Sequence, residues 1–241
     1  MKVYAKEFEI SVERQRSAGW YRERAGKPSA SALGTLFDTK ANGEPSSKAR
    51  EYLKQLAFER KFDTIFERFQ TKAMADGTFF EDFTKQVYER ETGNKLVEAF
   101  SYISDWFVAT PDALVAELEV AGKRRQRGLL ECKVVGDSTF MEIAEKGIPL
   151  DHELQMQGQM MATGFDWVDY IVVNLKTRAY LIIRLKRNNK LIKRIYERLH
   201  EPLDFPEFQN FEVKRFDDNL LQEYMGNSIS EETTTIDNLG F

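Results

Sequence analysis

Gly128-Leu129-Leu130-Glu131-Cys132-Lys133-Val134-Val135-Gly136 is an apolar, β-prone run closed at both ends by glycine and interrupted by one acid and one base. Leu129, Leu130, Cys132, Val134 and Val135 mark it as a buried strand. Side chains alternate across a strand, so Glu131 and Lys133 point to the same face. Upstream, the apolar stretch from Trp106 runs into Thr110-Pro111-Asp112, a turn whose spacing delivers a third charged head to the same spot on a bent sheet. Burying an ammonium with carboxylates is costly unless something compensates, and a bound metal with its anionic substrate is one such compensation.

Around this strand the chain alternates helical and extended segments. Ser17 to Arg24 precedes a turn at Gly26-Lys27-Pro28, after which Ser29 or Ser31 can cap a short helix. Free amides there, beside an arginine, form a ready anion site, although an ordinary cap next to a solvated Arg24 explains the same residues. Asp38 to Ser47, with Asn42-Gly43 and Pro45, reads as a loop. Lys48 to Ala73 spaces Tyr52, Leu56, Phe62, Ile65, Phe66 and Phe69 at helical intervals, as core packing requires. Thr78-Phe79-Phe80-Glu81 matches a capping box with Thr78 as N-cap, opening a helix that Gly93 ends. Glu81 then either completes the cap or pairs with Lys85 one turn on.

Leu96 to Val108 is expected to form two strand segments around Ser104-Asp105, and Lys123 to Gly128 a charged hairpin loop leading into the Glu131 strand. After Pro149 a helix is expected with Asp151 as N-cap and Gly164 as its stop. Gln155, Gln159 and Ala162 fall on one of its faces, and Leu154, Gly158 and Met161 on another. Tyr170 to Val173 and Ala179 to Ile183 read as a strand pair, and a last basic helix runs from Asn188 to near Pro202.

A chain of 241 residues with 42% hydrophobic content suits one large domain, placed at residues 1–227, with an acidic tail at 228–241 holding Glu231, Glu232 and Asp237. The net charge of -4 does not advertise a polyanion partner, but the average hides basic segments: Lys123-Arg124-Arg125 with Arg127, and the acid-free run from Arg184 to Arg194. One cysteine excludes an internal disulfide and Cys-rich zinc or iron-sulfur sites. The opening residues lack the apolar core of a signal peptide and no run approaches a membrane span, so a soluble, cytoplasmic protein is expected.

Two carboxylates and a lysine at one point can be a structural ion-pair cluster, a metal site or an acid/base pair. Asp112 and Glu131 offer hard oxygen donors, which suit Mg²⁺ or Mn²⁺ rather than zinc, and a metal so held suits phosphodiester chemistry.

Thr110-Pro111-Asp112 followed by Glu131-Cys132-Lys133 resembles the PD-(D/E)XK nuclease signature. Further segments resemble the viral recombinase exonuclease branch, typified by phage lambda exonuclease: Trp20 to Arg24 with Ser31, the helix between Gly77 and Gly93 carrying Phe80-Glu81, and Gly147-Ile148-Pro149 with Leu154-Gln155-Met156-Gln157. The resemblance spans roughly residues 15 to 185, and several short motifs in order are more specific than the core motif alone.

It implies a restriction-endonuclease-like α/β fold, a three-layer core with a central mixed β-sheet flanked by helices. It implies that Asp112, Glu131 and the Cys132 backbone carbonyl hold Mg²⁺, for which Mn²⁺ can substitute, with Glu81 serving a second ion or the attacking water. Lys133 and Gln155 would position the nucleophile, and Arg24 and Ser31 would grip a 5′-phosphate. The implied activity is 5′-to-3′ digestion of one strand of double-stranded DNA ends to mononucleotides, leaving 3′ overhangs for recombination in a phage-carrying bacterial host. A homotrimeric ring and a single-strand annealing protein as partner complete the set. Two alternatives share the fold: another repair nuclease or endonuclease of the superfamily, and a catalytically inactive DNA-binding module.

Overall fold

A computed structural model describes residues 4–66, 75, 78–116, 128–201, 219 and 222. The chain divides into two units, Met1–Leu203 and Asp204–Phe241, and every element named below lies in the first. The basic loop expected at Lys123 to Arg127 and the acidic tail expected at 228–241 lie outside the described residues.

A 3-10 turn, Tyr4–Glu7, leads through β1 (Glu9–Ile10) to α1 (Ala18–Arg24), a second 3-10 turn (Ala30–Ala32), α2 (Leu33–Leu36) and α3 (Ser47–Phe62). Then follow α4 (Glu81–Thr92), β2 (Lys95–Val97), β3 (Tyr102–Ile103), β4 (Val108–Ala109), β5 (Ala113–Ala116) and β6 (Gly128–Val134). The chain continues through α5 (Asp137–Lys146), α6 (Leu150–Thr163), β7 (Trp167–Asn174), β8 (Ala179–Lys186) and α7 (Asn189–Leu199).

The main sheet has the order β2-β5-β6-β7-β8. Its one parallel pair is β6 with β7, joined by the crossover through α5 and α6, while the others are antiparallel, so the expected mixed sheet is present. A smaller sheet, β1-β3-β4, is antiparallel throughout. The expected pair of segments between Leu96 and Val108 is thus three short strands shared between two sheets, because β2 pairs with β5 while β3 and β4 pair with each other.

Alternation along β6 and β7 separates the layers. Leu130, Ile171, Val173 and Trp167 join Tyr88 of α4 in an apolar cluster, with Cys132 packed against it. Residues of opposite parity, Glu131 and Tyr170, meet α6 instead, through Gln155, Gln159 and His152. The sheet therefore lies between α4 and α6, and β7 is buried along its whole length. Within the α4 layer Asp169 accepts from the Tyr88 hydroxyl at 2.6 Å and from Arg184 Nε at 2.7 Å, and Arg184 stacks on Trp167.

Several boundaries depart from expectation for identifiable reasons. α3 stops at Phe62, with Asp63 left-handed at φ 50, rather than running to Ala73. The buried Glu59 carboxylate accepts from the amides of Gly26 at 2.7 Å and Phe66 at 3.1 Å, pulling the chain back across the helix end. Ile65 is consequently exposed instead of joining the core. At α6 the N-cap is Pro149, and Asp151 lies in the first turn, where its charge favours the helix dipole. Gly93 and Gly164 close α4 and α6 in the left-handed conformation, as their positions suggested. α7 buries Ile192, Ile195 and Leu199 and leaves Lys190, Lys193 and Arg194 exposed.

α6 approaches α2 so closely that a Cβ on Gly158 would lie 2.6 Å from Leu33 Cδ1 and 3.2 Å from Phe107 Cζ, both of them fully buried residues. Gly158→Ala is expected to lower the urea midpoint, since overpacking of about 1–3 kcal/mol outweighs a helix-propensity gain of about 1 kcal/mol. A raised midpoint would show that the contact yields.

Candidate active site

Pro111 ends a ladder before it begins, having no amide hydrogen. Asp112 N–H bonds Leu130 O at 3.2 Å, and one residue later β5 and β6 are in register, Ala113 opposite Leu130. Beyond that pair the two strands fork. The Cys132 amide, left without a strand partner on that side, donates to Asp112 Oδ2 at 2.6 Å. The carboxylate of a Pro-Asp turn thus replaces a backbone acceptor at the fork, which fixes Asp112 beside Glu131.

Glu131 is 1% exposed, and α6 and Lys133 satisfy it. Its Oε1 accepts from Lys133 Nζ at 2.5 Å and Gln155 Nε2 at 2.6 Å, and its Oε2 from Gln159 Nε2 at 2.7 Å. Gln155 Oε1 also accepts from Lys133 Nζ at 3.2 Å, so the amide bridges acid and base.

Burial and the nearby Glu131 raise the Asp112 carboxyl well above its usual range. Burial alone would lower the Lys133 ammonium, but Glu131 and Asp112 overcome it and raise its pKa. Both carboxylates therefore favour the charged form of Lys133. The Cys132 thiol is pushed up by burial and the same carboxylates, which keeps it neutral.

Glu81 is not spent on a cap: the N-cap of α4 is Phe80, without a side-chain bond. Its carboxylate pairs with Lys85 Nζ at 2.7 Å and Arg16 Nη2 at 3.2 Å, and Arg16 also reaches Thr78 Oγ1 at 3.4 Å. The expected pairing with Lys85 is formed and the expected capping box is not, because a cation from a distant segment claims the acid. Arg16 itself has a positive φ of 69, uncommon for a residue with a side chain.

Arg24 lies over the Trp20 ring at 4.1 Å and donates to Thr110 Oγ1 at 3.2 Å. Trp20 Nε1 is bound to Ser101 Oγ, which lies 2.6 Å from the same threonine hydroxyl. The loop after Pro28 is pinned by Val108 N–H to Pro28 O and by Ser29 N–H to the Tyr52 hydroxyl. Ser29 occupies the N-cap position of the following turn without a side-chain cap bond, and its hydroxyl meets that of Ser31 at 3.1 Å.

All these groups line one cleft of about 520 Å³: Arg24, Ser31, Glu81, Asp112, Glu131, Cys132, Lys133 and Gln155, together with Arg16, Trp20, Thr78 and Thr110. One end is acidic with a half-buried lysine, and the other presents an arginine and hydroxyls. Among the described residues no three acidic, histidine or cysteine side chains form a ready metal cage. Two carboxylates still suit a hard cation that keeps water or substrate oxygens as its other ligands. The upward push on Asp112 supports this fit, since a cation would offset both the burial and the carboxylate repulsion that cause it.

Residues 19–166 match the model of the YqaJ-like viral recombinase domain. The chain belongs to the YqaJ-like viral recombinase family. No curated protein matches it in sequence. Among solved structures it is similar to LHK-Exo in complex with dAMP, with 26% identity, a TM-score of 0.64, and coverage of 76% of this chain and 89% of that one. The alkaline exonuclease LHK-Exo from Laribacter hongkongensis matches at 23% identity and TM-score 0.64, over 93% of this chain and 100% of its own. A phage-related exonuclease from Haemophilus somnus matches at 16% identity and TM-score 0.54, over 72% and 90%. The fold is thus the restriction-endonuclease-like α/β fold expected from the motifs, and the family is the lambda-exonuclease-like branch.

Sequence reasoning missed Gln159 and Arg16 as members of the cluster. Gln159 shares a helical face with Gln155 and could have been paired with it on that ground, whereas no local pattern marks Arg16.

A carboxyl whose folded-state pKa is raised favours the fold below its unfolded pKa, and that contribution is lost as pH rises through the folded value. In chelator-treated protein, Asp112→Asn is therefore expected to raise the Tm at neutral pH, each 1 kcal/mol being worth about 2–4 °C at this size. The difference should vanish on acidification toward the ordinary carboxyl range near about pH 4. A variant melting below wild type at neutral pH would show that the cluster is a stabilising ion-pair network.

Proposed function

We propose that the protein is a Mg²⁺-dependent 5′-to-3′ exonuclease that removes mononucleotides from one strand of linear duplex DNA. The observation that carries this reading is the convergence, in one cleft, of Asp112, Glu131, Lys133, Gln155 and Glu81 with the arginine and hydroxyl end at Arg24 and Ser31. Membership of the viral recombinase family and similarity to LHK-Exo, crystallised with a mononucleotide, support it.

Asp112, the spare capacity of Glu131 and the Cys132 carbonyl would hold Mg²⁺, with Glu81 available to a second ion. The bound cation would supply charge neutralisation at the phosphate and a more acidic water. Lys133 contributes a positive charge toward the scissile phosphate and orients the attacking water. Gln155 keeps Lys133 and Glu131 in register. Arg24, aligned by Trp20 and Thr110, grips the terminal 5′-phosphate with Ser31. Thr110 and Asp112 are two residues apart, at most about 7 Å of extended chain, so the phosphate grip and the carboxylate end are close neighbours. That proximity favours release of single nucleotides. A homotrimeric ring around the duplex and a single-strand annealing protein as partner belong to the same reading, and native mass spectrometry checks the former.

Purified protein with Mg²⁺ should degrade a 5′-phosphorylated linear duplex faster than one with 5′-hydroxyl ends and leave closed circles intact. Equal degradation of both ends, or nicking of circles, would refute an end-binding exonuclease. Arg24→Ala should slow attack on phosphorylated ends by about 10- to 150-fold, the equivalent of a charge-assisted contact of about 1.5–3 kcal/mol. It should change the rate on hydroxyl ends little. Lys133→Ala should reduce single-turnover hydrolysis by about 10²- to 10³-fold while duplex binding is retained. Normal turnover in that variant would remove Lys133 from the chemistry.

A further inference from the structure

Three glutamines of α6 are buried, and they are used differently. Gln157 turns away from the cleft, donating to Lys186 O at 2.9 Å and accepting from Asn188 N–H at 2.8 Å, which ties α6 to the start of α7. Gln155 lines the cleft and bridges Lys133 and Glu131. Gln159 has no exposed surface; it donates to Glu131 Oε2 at 2.7 Å and, at the longer distance of 3.5 Å, to Thr110 O, while its own Oε1 has no hydrogen-bond partner among the described residues.

An unpaired buried carbonyl is unfavourable, and the neighbours Met156, Met160 and Met161 show what this helix uses where packing alone counts. A fully buried amide that satisfies only its donor end is therefore placed for the acceptor it serves. The nearer of its two acceptors is one particular oxygen, Glu131 Oε2 at 2.7 Å against 3.5 Å to Thr110 O. Glu131 Oε1 has both lone pairs engaged, by Lys133 and Gln155, whereas Oε2 receives Gln159 alone. Oε2 is thus the oxygen of Glu131 with room for an electrophile, and Gln159 is its hydrogen-bond partner among the described residues.

We propose that Gln159 is a positioning residue that aims Glu131 Oε2 for divalent-cation binding. The proposal rests on the metal-dependent reading of the cleft and extends it to a residue that does not line the cleft. Gln155 sets Lys133 against Glu131; Gln159 sets the ligating oxygen.

The test is Mn²⁺ binding to DNA-free protein, read from the electron paramagnetic resonance signal of the unbound ion, together with urea unfolding in chelator. Gln159→Met, matched in length and apolar like its neighbours, should bind Mn²⁺ about 10- to 100-fold more weakly than wild type, the usual effect of losing a group that orients a metal ligand. Gln157→Met should lower the urea midpoint and leave Mn²⁺ affinity unchanged. If Gln159→Met does not fold, Gln159→Asn, whose amide is one methylene short of Oε2, decides by the same reading. Wild-type affinity in a folded Gln159 variant overturns the proposal. So does failure of both Gln159 variants to fold while Gln157→Met folds, since the residue would then be structural. Absence of Mn²⁺ binding by wild type would instead refute the metal-dependent reading itself.

Discussion

A carboxylate held in the middle of a packed sheet is the constraint on which this domain depends. Glu131 lies on the central strand of the main sheet, almost without exposure, and an unpaired charge there would cost several kcal/mol. It is satisfied by Lys133 from its own strand and by Gln155 and Gln159 from α6. The helix must therefore lie flat against this face, and Gly158, between the two glutamines, lets its other side meet α2 and Phe107. The parallel pairing of β6 with β7 is part of the same arrangement, because the crossover it requires carries α6 over the strand that bears the acid.

How much of this could be read from the chain follows from which interactions are local. The β6 strand was legible because alternation and two bounding glycines are properties of a short window. Gly93 and Gly164 were legible as helix stops for a similar reason, since a left-handed residue after a helix is a backbone requirement. The capping box at Thr78 and Glu81 is also a local pattern, but it failed because Arg16, from a distant segment, offered Glu81 a full charge where the cap offered an amide. The end of α3 failed likewise: apolar spacing continued past Phe62, yet the buried Glu59 captured the Phe66 amide and turned the chain. In each case the deciding partner lay outside the helix being read.

The site shows the same division with a different outcome. Asp112, Glu131 and Lys133 could be brought together from spacing, since a turn and a strand alternation are enough to place them. Arg24, Ser31, Glu81 and Gln155 could be assigned only through the ordered motifs of a family, because no physical rule connects segments so far apart. Gln159 falls between these cases. Its helical phase with Gln155 was visible, but that both amides end on the two oxygens of one carboxylate depends on the translation of α6 along β6, which only tertiary packing sets.

The two ends of the cleft are joined by three consecutive residues. The Thr110 hydroxyl receives Arg24 and lies against Ser101, which in turn receives Trp20. Pro111 withholds a backbone donor, and Asp112 supplies a side-chain acceptor to the Cys132 amide in the opened fork. A displacement of the β5 start would therefore move the arginine end and the carboxylate end as one body, whereas a displacement of α6 would act first on the amides behind Glu131 and reach Thr110 through the longer Gln159 contact. Net charge is a poor guide to such a site because it averages over both ends. A chain of net charge -4 brings two carboxylates within reach of one half-buried lysine and holds an arginine beside them, and the local field follows from that geometry rather than from composition.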